Sequence, residues 1–382
     1  MNAKPAAAVE SVQAPLFEPF RIGRTTLRNR IVMSPMTRSF SPGGIPTQQV
    51  LDYYRRRAAG GAGLLITEGS YVPHVGASNN PANPNLFGEA SLEAWAEIIR
   101  SVHDAGGRII PQLWHVGLYH RTGPEGVVQA PEAHHVGPSG LSGGATQPIV
   151  KVGEPMTLAD IDAVIDAFAT AARSAMDIGF DGVELHGAHG YLIDQFLWSV
   201  TNLRTDRFGG GLVERSQFAA DVIREVRSRT APDFPIVLRY SQWKQQDYAA
   251  RLADTPQELE VILAPLVEAG VDLFDCSQRR FWEPAFAGSD LNLAGWTRKL
   301  TGKPTMTVGS VGLTSEFLDS MAGERGGVAD LGRLLEMFAD DQFDLVGVGR
   351  AIIADPDWAN KVREGRFEAL LPFSREALAT LY

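Results

Sequence analysis

Short apolar runs rich in β-branched residues recur along the chain. Between them, apolar positions return every three or four residues. The runs predict strands at Ile31–Ser34, Gly63–Thr67, Arg108–Gln112, Gly182–His186, Pro235–Arg239, Val271–Asp275, Pro304–Val308 and Phe343–Val348. Most are continuously apolar, as strands buried on both faces are. Leu92, Trp95, Ile98, Ile99 and Val102 fall on one helical face, with Ser91 as the candidate cap. Thr157 and Asp160 resemble a capping box, opening a helix that turns Ile161, Val164, Ile165, Phe168 and Met176 inward. Leu259, Ile262, Leu263 and Leu266 form a third stripe. Strands alternating with helices predict an α/β protein, a single (β/α)8 TIM barrel closed by parallel strands.

Two stretches stand outside the alternation. Leu16 to Arg30 reads as short strands about a turn at Gly23-Arg24, placed to plug the barrel bottom. The starts of the third and fourth strands lie 74 residues apart, the widest interval. The excess, residues 117–156, holds eight Gly and five Pro, with His120, His134 and His135. A long irregular excursion at the C-terminal end of a barrel strand reads as an active-site lid. Met1–Pro15 is Ala-rich and reads as a disordered tail, leaving residues 16–382 as one domain.

Composition narrows the function. Of the 382 residues 44% are hydrophobic, enough for a large core, and the net charge is −10. No basic stripe appears, so neither nucleic acid nor an anionic membrane is an expected partner. One cysteine, Cys276, excludes an internal disulfide and an iron–sulfur cluster. No apolar run reaches the roughly 18 residues of a membrane span. A cytoplasmic enzyme is expected, and its oligomeric state, homo-oligomer or monomer, is left open.

Candidate chemistry collects in Val183–Gly210. His186 closes the fourth predicted strand, and Gly187 to Gly190 bends the chain, so His186, His189 and Tyr191 leave one corner. Two imidazoles and a phenol there can hydrogen-bond one oxygen and deliver one proton. A His-x-x-His pair also suits a metal, but no acidic or Cys ligand lies at a familiar zinc spacing, and no metal is expected. Other strand ends carry Pro35-Met36-Thr37, Thr67-Glu68-Gly69, Gln112-Leu113-Trp114 and Arg239. Gly309-Ser310-Val311-Gly312 and Gly347-Val348-Gly349-Arg350 follow strands seven and eight, where barrels commonly bind phosphate through exposed backbone N–H groups.

The whole Val183–Gly210 string closely resembles the signature of the old yellow enzyme family of flavin-dependent ene-reductases. The matching residues are His186, His189, Gly190-Tyr191, Gln195-Phe196-Leu197 and Asn202 to Gly210. The resemblance runs from about Leu16 to the C-terminus. It implies FMN held non-covalently, with NADPH or NADH as reductant and an activated alkene (enone, nitroalkene or maleimide) as substrate. It implies that Pro35, Met36 and Thr37 line the flavin edge. Gly69 would leave room for the ring, Gln112 would bond the pyrimidine, and Arg239 would sit by the N1–C2 edge. Gly309, Gly349 and Arg350 would hold the phosphate, and Trp114 would shape the substrate side. His186 and His189 would bind the substrate oxygen while Tyr191 protonates the α-carbon. The chain departs from the family at Thr37, where one branch has Cys, at Gly309–Gly312, and at Phe373, where some relatives place Tyr. Rival readings are a flavin-free phosphate-binding barrel enzyme, a reductase of nitro compounds or nitrate esters on the same FMN scaffold, and a non-catalytic flavin carrier.

Overall fold

A computed structural model describes residues 13–119, 121–123, 126–128, 136–143, 148–315 and 327–382. Eight parallel strands close a barrel: β1 Ile31–Met33, β2 Leu64–Tyr71, β3 Arg108–Trp114, β4 Val183–His189, β5 Ile236–Lys244, β6 Leu273–Ser277, β7 Thr305–Val308 and β8 Leu345–Val348. Each lies beside its sequence neighbours, and β8 returns to β1 with Val346 opposite Ile31. This is the (β/α)8 barrel that the alternating pattern predicts. The cause is the one read from sequence: strands apolar on both faces must be covered inside and out.

The helices supply the outer cover. The first three are α1 Gln48–Ala59, α2 Glu89–Asp104 and α3 Leu158–Ile178. After them come α4 Leu192–Leu197, α5 Leu212–Arg229, α6 Pro256–Ala269, α7 Leu293–Thr301 and α8 Gly332–Ala339. Helix α3 opens with the capping box expected at Thr157 and Asp160. Ser91 does not cap α2. That helix begins a turn earlier, after Gly88, and the buried Ser91 hydroxyl donates to the carbonyls of Gly44 and Asn85. Trp95, on the buried face of α2, is fully covered.

The strands Phe20–Ile22 and Thr25–Leu27 pair as a hairpin. Ile22 and Leu27 pack against barrel-interior residues such as Val32, Ile66 and Val237, so the hairpin stops the N-terminal end. With that end filled, the opposite mouth is the open one. Ala14 and Pro15, read as the end of a tail, belong to a 3-10 turn, Ala14–Phe17, and residues 1–12 lie outside the described residues. Among the described residues no helix is long and apolar enough to cross a membrane.

Strands β2, β3, β4 and β5 run further at their C-terminal ends than the apolar runs that predict them. Their last residues mix polar, Gly and aromatic residues and carry no continuous apolar run. The residues that crown the mouth therefore belong to rigid strand ends as well as to loops. In the excursion, Leu141–Ser142 pairs with Val150–Lys151, and Leu118 is buried. His120, His134 and His135 lie outside the described residues.

Candidate active site

The mouth of the barrel holds a cavity of about 350 Å³. Pro35, Met36, Thr37, Gln112, Trp114, His186, His189, Tyr191, Arg239, Gly309, Gly349 and Arg350 all line it. These residues come from six different strand ends, so one place unites nearly every residue singled out in the sequence. Gly69 stands just behind. A Cβ there would lie 2.4 Å from Cε3 of Trp114, so only Gly lets the indole lie against β2.

The His-x-x-His corner is built differently from the expected turn. β4 does not end at His186 but continues to His189, with a register shift between Gly187 and His189. In a regular strand, residues three apart face opposite ways. The bulge removes that alternation, and a left-handed φ of 64° at His189 completes the bend. Both imidazoles consequently reach the cavity, their centroids 5.3 Å apart and their planes nearly perpendicular. The Tyr191 ring lies 4.9 Å from both His186 and Trp114.

A buried ion pair braces this corner. Lys244, at the end of β5, meets Asp194 of α4 at 2.8 Å, and both side chains are fully buried. The Gly190 N–H donates to Asp194 at 2.7 Å, and the Lys244 ammonium donates to the Ser241 carbonyl. The loop between His189 and Tyr191 is thus fixed by a charge-assisted bond.

Burial, followed by the Arg239 charge, holds both imidazoles well below their usual pKa range. Each is neutral at pH 7 and offers one N–H and one lone pair. His186 Nδ1 is buried without a partner among the described residues, whereas His189 Nε2 meets the Ser277 hydroxyl at 2.8 Å. A substrate oxygen must compete with Ser277 for that nitrogen. Burial raises the Tyr191 phenol far above its ordinary value, with Tyr119 adding to the rise, so the phenol is protonated at any working pH.

Below this roof lies a polar layer. Arg239 reaches Asp275 at 3.3 Å, and Gln112 donates to Glu184 at 2.8 Å. Burial raises both carboxyls, and the Asp275 charge raises Glu184 further, while Arg239 opposes the rise of each. One cation cannot neutralise two buried carboxylates, so one keeps its proton.

Arg239 faces Asp275 through Nη1, and its Nε is buried without a hydrogen-bond partner among the described residues. Buried guanidinium N–H groups need acceptors. A ring edge that gains negative charge, such as the flavin N1–C2 edge, supplies one, so the residues present fit FMN. At the other end of the cavity a Cβ on Gly309 would meet the Gln278 carbonyl oxygen at 2.4 Å, so the backbone there stays bare. Arg350 stands beside it, donating to the Ser310 hydroxyl and the Ser315 carbonyl.

Several lining residues have no counterpart in the sequence reading: Trp243, Gln245, Tyr248 and Ser277. The Trp243 ring stacks on His189 at 4.4 Å, and Tyr248 stacks on Trp243 at 5.5 Å. Two aromatics within the polar run after Arg239 were the available signal. Glu68, which the sequence places at the end of the second predicted strand without a role, is a positioning group. Its carboxylate accepts the N–H groups of Arg38 and Ser39, anchoring the segment that follows Thr37.

Comparison with known proteins agrees with this geometry. The family model described as NADH:flavin oxidoreductase / NADH oxidase matches residues 15–369. The chain is 30% identical over 396 residues to 12-oxophytodienoate reductase 2 of Arabidopsis thaliana, covering 99% of this chain and 94% of that one. It is 33% identical to the NADH oxidase of Thermoanaerobacter brockii over 92% of its own length, but spans only 51% of that longer protein. Among solved structures, morphinone reductase superposes with a TM-score of 0.73 at 27% identity, covering 92% of this chain and 89% of that one. The old yellow enzyme homologue from Zymomonas mobilis gives 0.74 at 27% identity, with 95% and 96% covered. The chain therefore belongs to the old yellow enzyme family and is an NAD(P)H-dependent flavin oxidoreductase.

Proposed function

We propose that the protein is an ene-reductase that reduces the C=C bond of an enone, nitroalkene or maleimide. The observation that carries this reading is the convergence of two neutral imidazoles and one protonated phenol over a cavity that Arg239 also lines, its buried Nε–H without a hydrogen-bond partner among the described residues. Bound FMN would supply the redox step, taking hydride from NADPH or NADH and giving it to the alkene β-carbon.

The chain's own residues do the rest. N–H groups of His186 and His189 hold the carbonyl or nitro oxygen. Hydrogen bonds aimed at the charge that develops on that oxygen are stronger in the transition state than in the ground state. Because both rings are neutral, they polarise without delivering their own protons. Tyr191 hands its proton to the α-carbon. Gln112 and Arg239 would hold the pyrimidine side of the cofactor; Pro35, Met36 and Thr37 its edge; and Gly309, Gly349 and Arg350 its phosphate, while Gly69 makes room by letting Trp114 lie back against β2. Trp114 bounds the substrate side. The excursion 117–156 acts as a lid. Tyr119, near its start, packs at 5.1 Å on the Tyr191 ring, which supports that role.

The test is Tyr191→Phe. Removing a general acid slows a proton-transfer step by roughly 10²- to 10⁴-fold. The variant should be bleached anaerobically by the nicotinamide at a rate close to wild type, yet reoxidise slowly with 2-cyclohexenone. Reoxidation at the wild-type rate would remove Tyr191 from the reaction.

A further inference from the structure

We propose that Gln245 is a positioning residue that keeps the Tyr191 proton aimed at the substrate and stabilises the phenolate left behind. The inference rests on the ene-reductase reading, because it concerns the proton that Tyr191 delivers.

Gln245 follows the end of β5 and stands between two phenols. Its Nε2 donates to the Tyr191 hydroxyl at 3.1 Å, and its Oε1 accepts from the Tyr119 hydroxyl at 2.7 Å. The two lengths fix the direction of the chain. A 2.7 Å separation is typical of O–H···O and at the short limit for a neutral N–H···O, whereas 3.1 Å suits N–H···O. The amide oxygen therefore faces Tyr119 and the amide N–H faces Tyr191.

That polarity has a chemical consequence. A phenol oxygen has one proton and accepts through its lone pairs. With the amide N–H occupying a lone pair, Tyr191 cannot spend its proton on Gln245. The proton is left for the cavity, where the ring already borders His186. In the reverse polarity Tyr191 would donate to the amide oxygen, and its proton would be withheld. Tyr119 maintains the productive direction because its own proton is committed to Oε1.

The same bond matters after transfer. The O–H bond of Tyr191 breaks, a C–H bond forms at the α-carbon, and the electron pair stays on the phenolate oxygen. Burial strongly disfavours that anion, and the Gln245 hydrogen bond is the interaction that offsets it. Hydrogen bonds to charged groups carry about 1.5–3 kcal/mol, so losing this one should slow proton delivery by roughly ten- to a hundredfold.

The experiment uses the FMN-loaded enzyme and stopped-flow reoxidation of the reduced protein by 2-cyclohexenone, in H₂O and D₂O. Gln245→Leu keeps the volume and removes both bonds. Gln245→Glu offers only acceptors when ionised and reverses the polarity. Both variants should slow reoxidation roughly ten- to a hundredfold and enlarge the solvent isotope effect. The slowing should exceed any change in reoxidation by dioxygen, which takes no proton from Tyr191. A residue that merely supports the fold would slow both acceptors together and leave the isotope effect alone; that result overturns the proposal. Tyr191→Phe, run alongside, separates the two levels. If it slows reoxidation while the Gln245 variants do not, the positioning role fails and the ene-reductase reading stands. If Tyr191→Phe is also fast, the proton donor itself has been misassigned, and the role of Gln245 falls with it.

Discussion

Lys244→Met isolates the brace beneath the catalytic corner. The substitution keeps the length of the side chain but removes the charge that meets Asp194 at 2.8 Å, where both groups are fully buried. Asp194 would then hold a carboxylate with no counter-charge, still accepting the Gly190 N–H. Breaking a buried pair on one side costs about 3–5 kcal/mol. An unfolding entropy of about 2.1 cal/mol/K per residue makes 1 kcal/mol worth roughly 1.2 °C in a chain of 382 residues. The melting temperature should fall by about 4–6 °C. The loss should also depend on pH. Burial already raises Asp194, and removing Lys244 takes away the largest opposing influence. A carboxyl with a raised folded-state pKa contributes stability below its unfolded value and loses it as pH rises through the folded value. The variant should therefore be closer to wild type at pH 5 than at pH 8. Adding Asp194→Asn, which removes the stranded charge while keeping an acceptor for Gly190, should recover part of the loss. Thermal denaturation of holoenzyme at the two pH values, with the double variant as control, reads all three effects. A single variant within 1 °C of wild type at pH 8, or a double variant no more stable than the single, would refute the reasoning.

Two further outcomes follow from the site. Burial pushes Glu68 up to about 7, against the pull of the Arg38 and Ser39 N–H groups. The folded protein therefore binds more protons than the unfolded chain between about pH 4.5 and 7. Glu68 makes stability fall across that window as pH rises, by up to roughly 3 kcal/mol. Glu68→Gln should flatten this decline in urea titrations, and an unaltered slope would contradict it. Replacing both His186 and His189 with Ala should weaken binding of a phenol by roughly ten- to a hundredfold, two hydrogen bonds being lost. The long-wavelength charge-transfer band of the flavin complex reports it, and an undiminished band would exclude the pair as the anchor.

The barrel was legible because its strands are short, apolar and β-branched, and its helices keep a clear 3.6-residue period. What the pattern missed was where rigid structure ends. β4 and β5 continue through His189 and Lys244 in sequence that mixes polar and aromatic residues, and the continuous apolar run that marks a buried strand stops short of both ends. The bulge at Gly187 had no signature beyond the glycine itself, yet it is what turns both imidazoles inward. Most of the site could be gathered in advance because its members occupy strand ends, which topology brings together. Partnerships across strands were not readable. Lys244 with Asp194, Asp275 with Arg239, and Gln245 between Tyr119 and Tyr191 are separated by 36 or more residues and share no local period. The Ser91 cap failed for a related reason: a contact with Gly44 and Asn85 outcompeted a local bond.

The central claim is that residues from Thr37 to Arg350 enclose one flavin and pass its electrons to a polarised double bond. Anaerobic absorbance titration of the purified protein tests it most directly. The account predicts a yellow protein that is bleached by NADPH or NADH and regains its full colour on addition of one equivalent of 2-cyclohexenone or a maleimide. A folded protein that binds no FMN, or a bleached one whose colour no activated alkene restores, would contradict it.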